Sequence, residues 1–150
     1  MKNTPETLPN QQAQAARFQQ ARDARSAATA QDYVELISDL IATEGEARSV
    51  DVAKRLGVSH ATVVKTINRL QKEGLINTKP YRGIFLTDSG EDLASESRHR
   101  HQVVAKVLMT MGVDEETAQI DAEGMEHHIS AVTLAAFEAF LAQQMQQGKE

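Results

Sequence analysis

The chain has no cysteine, and only two tyrosines and four phenylalanines among its 150 residues. Without thiols there is no disulfide framework, no zinc ribbon and no thiolate redox chemistry, so oxygen and imidazole are the ligands left for any metal. So few aromatics leave little with which to line a large apolar pocket for an organic effector. No apolar run approaches the length of a membrane span, and no signal-like apolar region follows Met1. A cytoplasmic protein with no membrane partner is the expectation. Nor is there an overall excess of positive charge. The formal net charge is -5, which taken alone argues against a nucleic-acid partner.

The charge is unevenly spread, however. Residues 1–46 carry 4 basic and 7 acidic side chains, residues 47–85 carry 8 and 2, and residues 86–150 carry 4 and 12. A basic island between two acidic arms suits a chain that lays one face on a polyanion and gathers carboxylates elsewhere for cations. The length allows one domain or two small ones with a real core.

The acidic C-terminal arm contains Asp121, Glu123, Glu126, His127 and His128 within eight residues. On a helix, Glu123, Glu126 and His127 fall at i, i+3 and i+4, placing two carboxylates and an imidazole on one face. That is half of a metal site. Asp32 and Glu35, at i and i+3 on another predicted helix, and His101 on the inner row of a third can supply the rest. Each has a plainer reading alone: an acidic stripe is usually solvated, and a lone inward histidine is usually a hydrogen-bonded core residue.

Residues 1–28 are rich in Gln, Ala and Asn, with little that is apolar beyond Leu8 and Phe18. They are expected to form a flexible extension or a frayed helix, a solvated tail rather than a DNA-contacting arm. From about Ala28 to Ala42, Tyr33, Leu36, Ile37, Leu40 and Ile41 keep a helical period, and Gly45 ends the helix. A short helix over Val50–Leu56, a turn at Gly57-Val58-Ser59 and an amphipathic run over Ala61–Lys72 then make a helix-turn-helix. Val63, Val64, Ile67 and Leu70 are expected to face inward, and Ser59 to cap the second helix. Leu75–Thr78 and Ile84–Thr87 flank Lys79-Pro80-Tyr81-Arg82-Gly83 and read as a β-hairpin wing. Ser59, His60, Ala61, Thr62 and Lys65 on the recognition helix, with Lys79, Tyr81 and Arg82 on the wing, are the expected contacts to double-stranded operator DNA.

A long helix is predicted to start near Thr87 or Asp88, with Asp88 and Glu91 in capping-box spacing, and to run to Met111. Its inner row is Leu93, Ser97, His101, Val104, Leu108 and Met111. Asp114 caps the next helix and Ser130 the last, where Val132, Leu134, Phe137, Phe140 and Leu141 suggest a homodimer interface within residues 130–145. The predicted fold is mainly α. A winged helix-turn-helix DNA-binding domain (29–87) follows the extension (1–28) and precedes a helical metal-binding and dimerisation domain (88–150).

On Asp32-Tyr33-Val34-Glu35, the helix-turn-helix, Tyr81-Arg82-Gly83, Arg100-His101 and Glu123-Gly124-Met125-Glu126-His127-His128, the sequence resembles the iron- and manganese-dependent repressors of the diphtheria toxin repressor family over residues of about 30 to 141. The resemblance implies a binuclear manganese site at Asp32, Glu35, His101, Glu123, Glu126 and His127, with two Mn(II) ions per subunit and repression of metal-uptake genes when the metal is bound. Iron-type relatives have a methionine and a cysteine where this chain has Asp32 and Glu123. The harder oxygen set suits manganese. The chain is also too short for the SH3-like third domain of those relatives. Two rivals stay open on the residues alone: a metal-independent winged-helix repressor answering to an organic ligand, and a di-metal enzyme. The latter lacks a nucleophile or general base outside the ligand set.

Overall fold

In the computed structural model, which describes residues 7–148, Asn10 opens the first helix by accepting from the Gln12 N–H at 2.9 Å. This helix, α1 (Gln11–Glu44), runs unbroken for 34 residues, about 50 Å at the helical rise. The loose arm expected over residues 1–28 lies partly outside the described residues. From Gln11 onward, secondary structure continues straight through the boundary expected at 28. Gln and Ala are good helix formers, and a side-chain cap supplies the start that the apolar period alone did not reveal. Most of residues 11–27 nonetheless remain exposed.

Beyond Gly45 come α2 (Ser49–Leu56), α3 (His60–Lys72), strands β1 (Ile76–Lys79) and β2 (Gly83–Leu86), then α4 (Asp88–Thr110), α5 (Glu115–Met125) and α6 (Ala131–Gln147). Gly57, at a left-handed φ of 68°, turns α2 into α3, and Ser59 caps α3 by accepting from the Thr62 N–H at 3.1 Å. The two strands pair antiparallel, with Ile76 opposite Leu86 and Lys79 opposite Gly83. Ala47 adds a one-residue bridge to Ile84. Gly83 is required there: its φ is 87°, and a Cβ would stand 2.6 Å from the Ala47 carbonyl oxygen.

One core joins Ala30, Tyr33, Ile37 and Leu40 of α1 to Val52, Ala53, Val63, Ile67, Leu70, Ile76 and Ile84. Val64, expected inward, is instead 41% exposed. The helix turns it away from the stripe formed by Val63, Ile67 and Leu70. A second core gathers Val104, Ala105 and Ala122, with Leu108, Met109, Ile129 and Phe137 against it. Met111, placed on the inner row by its spacing, is 72% exposed because α4 ends at Thr110, before that row closes. The α4 cap is Thr87, accepting from the Gly90 N–H at 3.1 Å, rather than Asp88. Asp88 and Glu91 lie in the first turn, where the helix dipole favours acids.

The helices α1 and α4 lie along each other and position the candidate site. Three polar links cross that seam: Arg98 Nη2 to Asp39 at 2.5 Å, Ser97 Oγ to Glu35 at 2.9 Å and Ser38 Oγ to Glu91 at 3.4 Å.

Candidate metal centre and nucleic-acid interface

Asp114 caps α5 through the Thr117 N–H at 2.9 Å, and the helix ends at Met125. Glu126, its C-cap, keeps helical φ and ψ with its N–H on the Ala122 carbonyl and still shares a side with Glu123; His127 lies in the turn beyond, off the helix face anticipated from the i, i+3, i+4 spacing. The turn separates them usefully. Arg100 of α4 holds it by donating from Nε to the Glu126 carbonyl at 3.0 Å and from Nη2 to the Ile129 carbonyl. Glu126 then points inward, 1% exposed, while His127 turns towards α1.

Two groups of donor atoms result, each compact enough to hold one cation: Asp32, Glu126 and His127 in one, His101, Glu123 and Glu126 in the other. Glu126 belongs to both. Its Oε2 is 3.0 Å from His101 Nδ1, and its Oε1 is 3.3 Å from His127 Nε2. His127 Nε2 is also 2.9 Å from Asp32 Oδ1, and His101 Nδ1 is 3.6 Å from Glu123 Oε1. Of the six expected ligands, five thus converge. Glu35 stands at the edge, its carboxylate accepting from Ser97, and lines with Asp32, Asp39 and Glu123 a cavity of about 430 Å³ that opens to solvent beside Arg55 of α2.

The donor set fits a divalent cation. His101 Nδ1, His127 Nε2 and both carboxylate oxygens of Glu126 are buried, and none has an aligned hydrogen-bond partner. Buried polar atoms without partners are costly, and four of them aimed into one space need a common positive centre. Burial pushes Glu126 up to about 7, although His101 and His127 pull it down. Glu35 is raised by burial too, with Glu123 and Asp39 adding repulsion that the Ser97 hydrogen bond opposes. Burial alone would lower the two imidazoles. His101 is raised instead by its Gln119 hydrogen bond and by Glu126 and Glu123, and His127 by Asp32 and Glu126. All four groups therefore hold protons more tightly than free side chains do, the carboxyls through burial and the imidazoles through the acids and hydrogen bonds around them.

Sequence reasoning missed the outer partners. Gln31 Oε1 is 2.5 Å from His127 Nδ1, and Gln119 Oε1 is 2.6 Å from His101 Nε2. A signal existed: Gln31 precedes a predicted ligand, and Gln119 sits one turn before Glu123 on the same face.

Midway along the chain, His60, Ala61, Thr62 and Lys65 are exposed on α3, as are Lys79, Tyr81 and Arg82 on the hairpin. The Ser59 and Thr62 hydroxyls are 2.8 Å apart and partner one another, so of the expected contacts on this helix His60 and Lys65 are the freer. Tyr81 occupies the left-handed region at a φ of 62° and projects fully into solvent. Lys79 lies over the Phe85 ring at 5.5 Å. Among the described residues, no helix is long and apolar enough to cross a membrane.

Comparison with known proteins agrees with this layout. Residues 27–84 match the family model described as iron dependent repressor, N-terminal DNA binding domain. Residues 87–147 match iron dependent repressor, metal binding and dimerisation domain. The chain is 54% identical over 133 residues to the transcriptional regulator MntR of Escherichia coli O157:H7, covering 89% of this chain and 86% of that protein. Among solved structures it resembles the manganese regulator SloR (TM-score 0.69, 25% identity) over 75% of this chain and 53% of that one. It also resembles a manganese-dependent transcriptional repressor in complex with manganese (TM-score 0.65, 28% identity), over 75% and 52%. The chain thus spans about half the length of these two solved chains.

Proposed function

Since the chain belongs to the iron-dependent repressor family, we propose that it represses transcription in response to manganese, binding operator DNA as a homodimer when Mn(II) occupies the carboxylate and histidine cluster. It is a metal-responsive regulator and not an enzyme. The work divides into a DNA-binding unit over 29–87 and a metal-binding and dimerisation unit over 88–150, with 1–28 an N-terminal extension, and it takes place in the cytoplasm. Double-stranded DNA is met by Ser59, His60, Ala61, Thr62 and Lys65 from the recognition helix. Lys79, Tyr81 and Arg82 reach it from the wing.

The observation that carries this reading is Glu126: a buried carboxylate with both oxygens unpartnered, standing between two imidazoles. Asp32, Glu35, His101, Glu123, Glu126 and His127 make the ligand set, and Glu126 lies where it can serve two ions per subunit. Two imidazoles, four carboxylates and no sulfur form a hard donor set suited to manganese. When bound, the divalent cation supplies the positive charge that four neighbouring carboxylates need. Asp32 and Glu35 sit on α1, which also sends Tyr33, Ile37 and Leu40 into the core beneath the recognition helix. Holding Asp32 against the Glu126–His127 turn therefore fixes the reading head relative to the dimer, and much of the gain is a lower ordering cost on DNA.

In a gel shift against operator DNA, Mn(II) in place of chelator is expected to tighten binding about 5- to 150-fold, the range typical of coupling between sites. His101→Ala is expected to lose that response and stay dimeric. Equal affinity with Mn(II) and with chelator would overturn the proposal. A metal-independent repressor of organic effectors would give that result.

A further inference from the structure

The two imidazoles address the cluster through different nitrogens. His101 turns Nδ1 towards Glu123 and Glu126, whereas His127 turns Nε2 towards Asp32 and Glu126. In each ring the remaining nitrogen meets a glutamine side-chain oxygen: Gln119 at His101 Nε2, Gln31 at His127 Nδ1. An amide oxygen only accepts. It therefore gives the proton a place on the ring nitrogen it faces once a cation takes the opposite nitrogen and neutralises the carboxylates that compete for that proton.

We infer that Gln31 and Gln119 are positioning residues that set opposite tautomers at the two histidines, Nδ1–H at His127 and Nε2–H at His101, so that each presents its lone pair to the cation site. The inference rests on the metal-site reading above and deepens it.

The placement of the glutamines gives them a second consequence. Gln31 adjoins Asp32 on α1, and Gln119 lies one turn from Glu123 on α5. Each imidazole is thus aimed by the same helix that brings its neighbouring carboxylate. If α1 slides against the 126–129 turn, Asp32 leaves and His127 loses its orientation in the same movement. The donor set therefore assembles only when the helix under the reading head is seated. A neutral amide also differs from the carboxylate partner common behind metal-bound histidines: it orients the ring without adding negative charge, and so without raising the ring's basicity as strongly. That suits a site meant to release its ion as supply falls.

Nitrogen-15 NMR of the histidine-labelled protein loaded with diamagnetic Cd(II) reads directly which nitrogen of each ring keeps its proton. The expected result is Nδ1–H for His127 and Nε2–H for His101. Gln31→Leu is expected to disturb His127 alone and Gln119→Leu His101 alone. Each is expected to weaken Mn(II) binding about 10- to 100-fold, measured from the EPR signal of free Mn(II). Gln31→Glu keeps an acceptor in place and is expected to recover most of that loss, which a purely packing role would not predict. An Nε2–H tautomer at His127 in the unaltered chain, or Leu variants with unchanged tautomers and affinity, would overturn the inference. The unaltered chain decides the first point even if a variant does not fold. Failure of the unaltered chain to take up either Mn(II) or Cd(II) would instead strike the metal-site reading on which the inference rests.

Discussion

Glu126 is placed to bind a cation well and to fold badly without one. Both its oxygens are buried without an aligned hydrogen bond, although an imidazole stands beside each, and burial holds its proton on to about pH 7. In the metal-free protein above that pH, the folded state has to carry a desolvated charge that the unfolded chain hydrates freely. Replacing Glu126 by its neutral isostere removes that charge at nearly constant volume. Glu126→Gln is therefore expected to melt later than the unaltered protein in chelator at pH 8. The gain is roughly 1–3 kcal/mol, the scale set by 1.4 kcal/mol for each pKa unit. It is also expected to lose the stabilisation that Mn(II) gives. Thermal melts of both proteins with EDTA and with Mn(II) check this, and a Glu126→Gln protein less stable than its parent in EDTA would count against it. The acidic partner at the edge behaves differently. Glu35 keeps a hydrogen bond from Ser97, so its charge is already compensated in part.

Among the elements, α6 is the one the protomer leaves unfinished. It has no fully buried residue, and Leu134, Leu141 and Met145, at steps of seven and four, run along one side that the protomer covers incompletely. Phe137, grouped with the interface on its spacing, packs instead on the Ala105 and Ala122 cluster of its own chain, so substituting it would disturb the fold as well as any dimer. Leu141→Asp separates the two effects. Sedimentation is expected to show monomers with helix content retained, and a Leu141→Asp protein still dimeric would place the subunit contact elsewhere. The same element shows what could be read from the sequence. Periodicity and caps located α2 to α6, because Ser59, Asp114 and Ser130 mark helix starts with side chains that do what their chemistry predicts. The start of α1 was hidden, since a Gln- and Ala-rich stretch with no apolar face carries no period even when Asn10 caps it. At the site, the ligand types and positions were legible, but their geometry was not. Spacing assumed that the α5 helix continues through His127, whereas the chain leaves the helix after Glu126, where Arg100 holds the Glu126 and Ile129 carbonyls. The glutamines behind the histidines went unseen although Gln31 adjoins Asp32 and Gln119 lies one turn before Glu123, because a neutral amide counts as no ligand until the imidazole it faces is placed.

For the whole molecule, proton and cation compete for one pocket, which ties stability, metal response and DNA affinity to pH. Glu126, Glu35, His101 and His127 are all raised above their ordinary values, so between them the folded state binds more protons than the unfolded chain does. Stability then falls as pH rises. For Glu126 the contribution is complete below 4.5 and is lost by about 7. For the histidines it is complete below 6.5 and is lost as pH climbs through their raised folded values. Asp114, lowered by the Thr117 N–H it caps, acts in the opposite sense but below 3.8, outside that window. Each proton held only by the folded state tilts stability by about 1.4 kcal/mol per pH unit. The metal-free protein is therefore expected to melt progressively earlier from pH 6 to pH 8. Cation binding must displace those same protons, so the rise in melting temperature on adding Mn(II) is expected to grow over the same interval. The two trends oppose each other, and melts at pH 6, 7 and 8 with EDTA and with Mn(II) measure both. A metal-free protein that gains stability towards pH 8, together with an Mn(II) increment independent of pH, would mean that protons and cation do not share the pocket around Glu126.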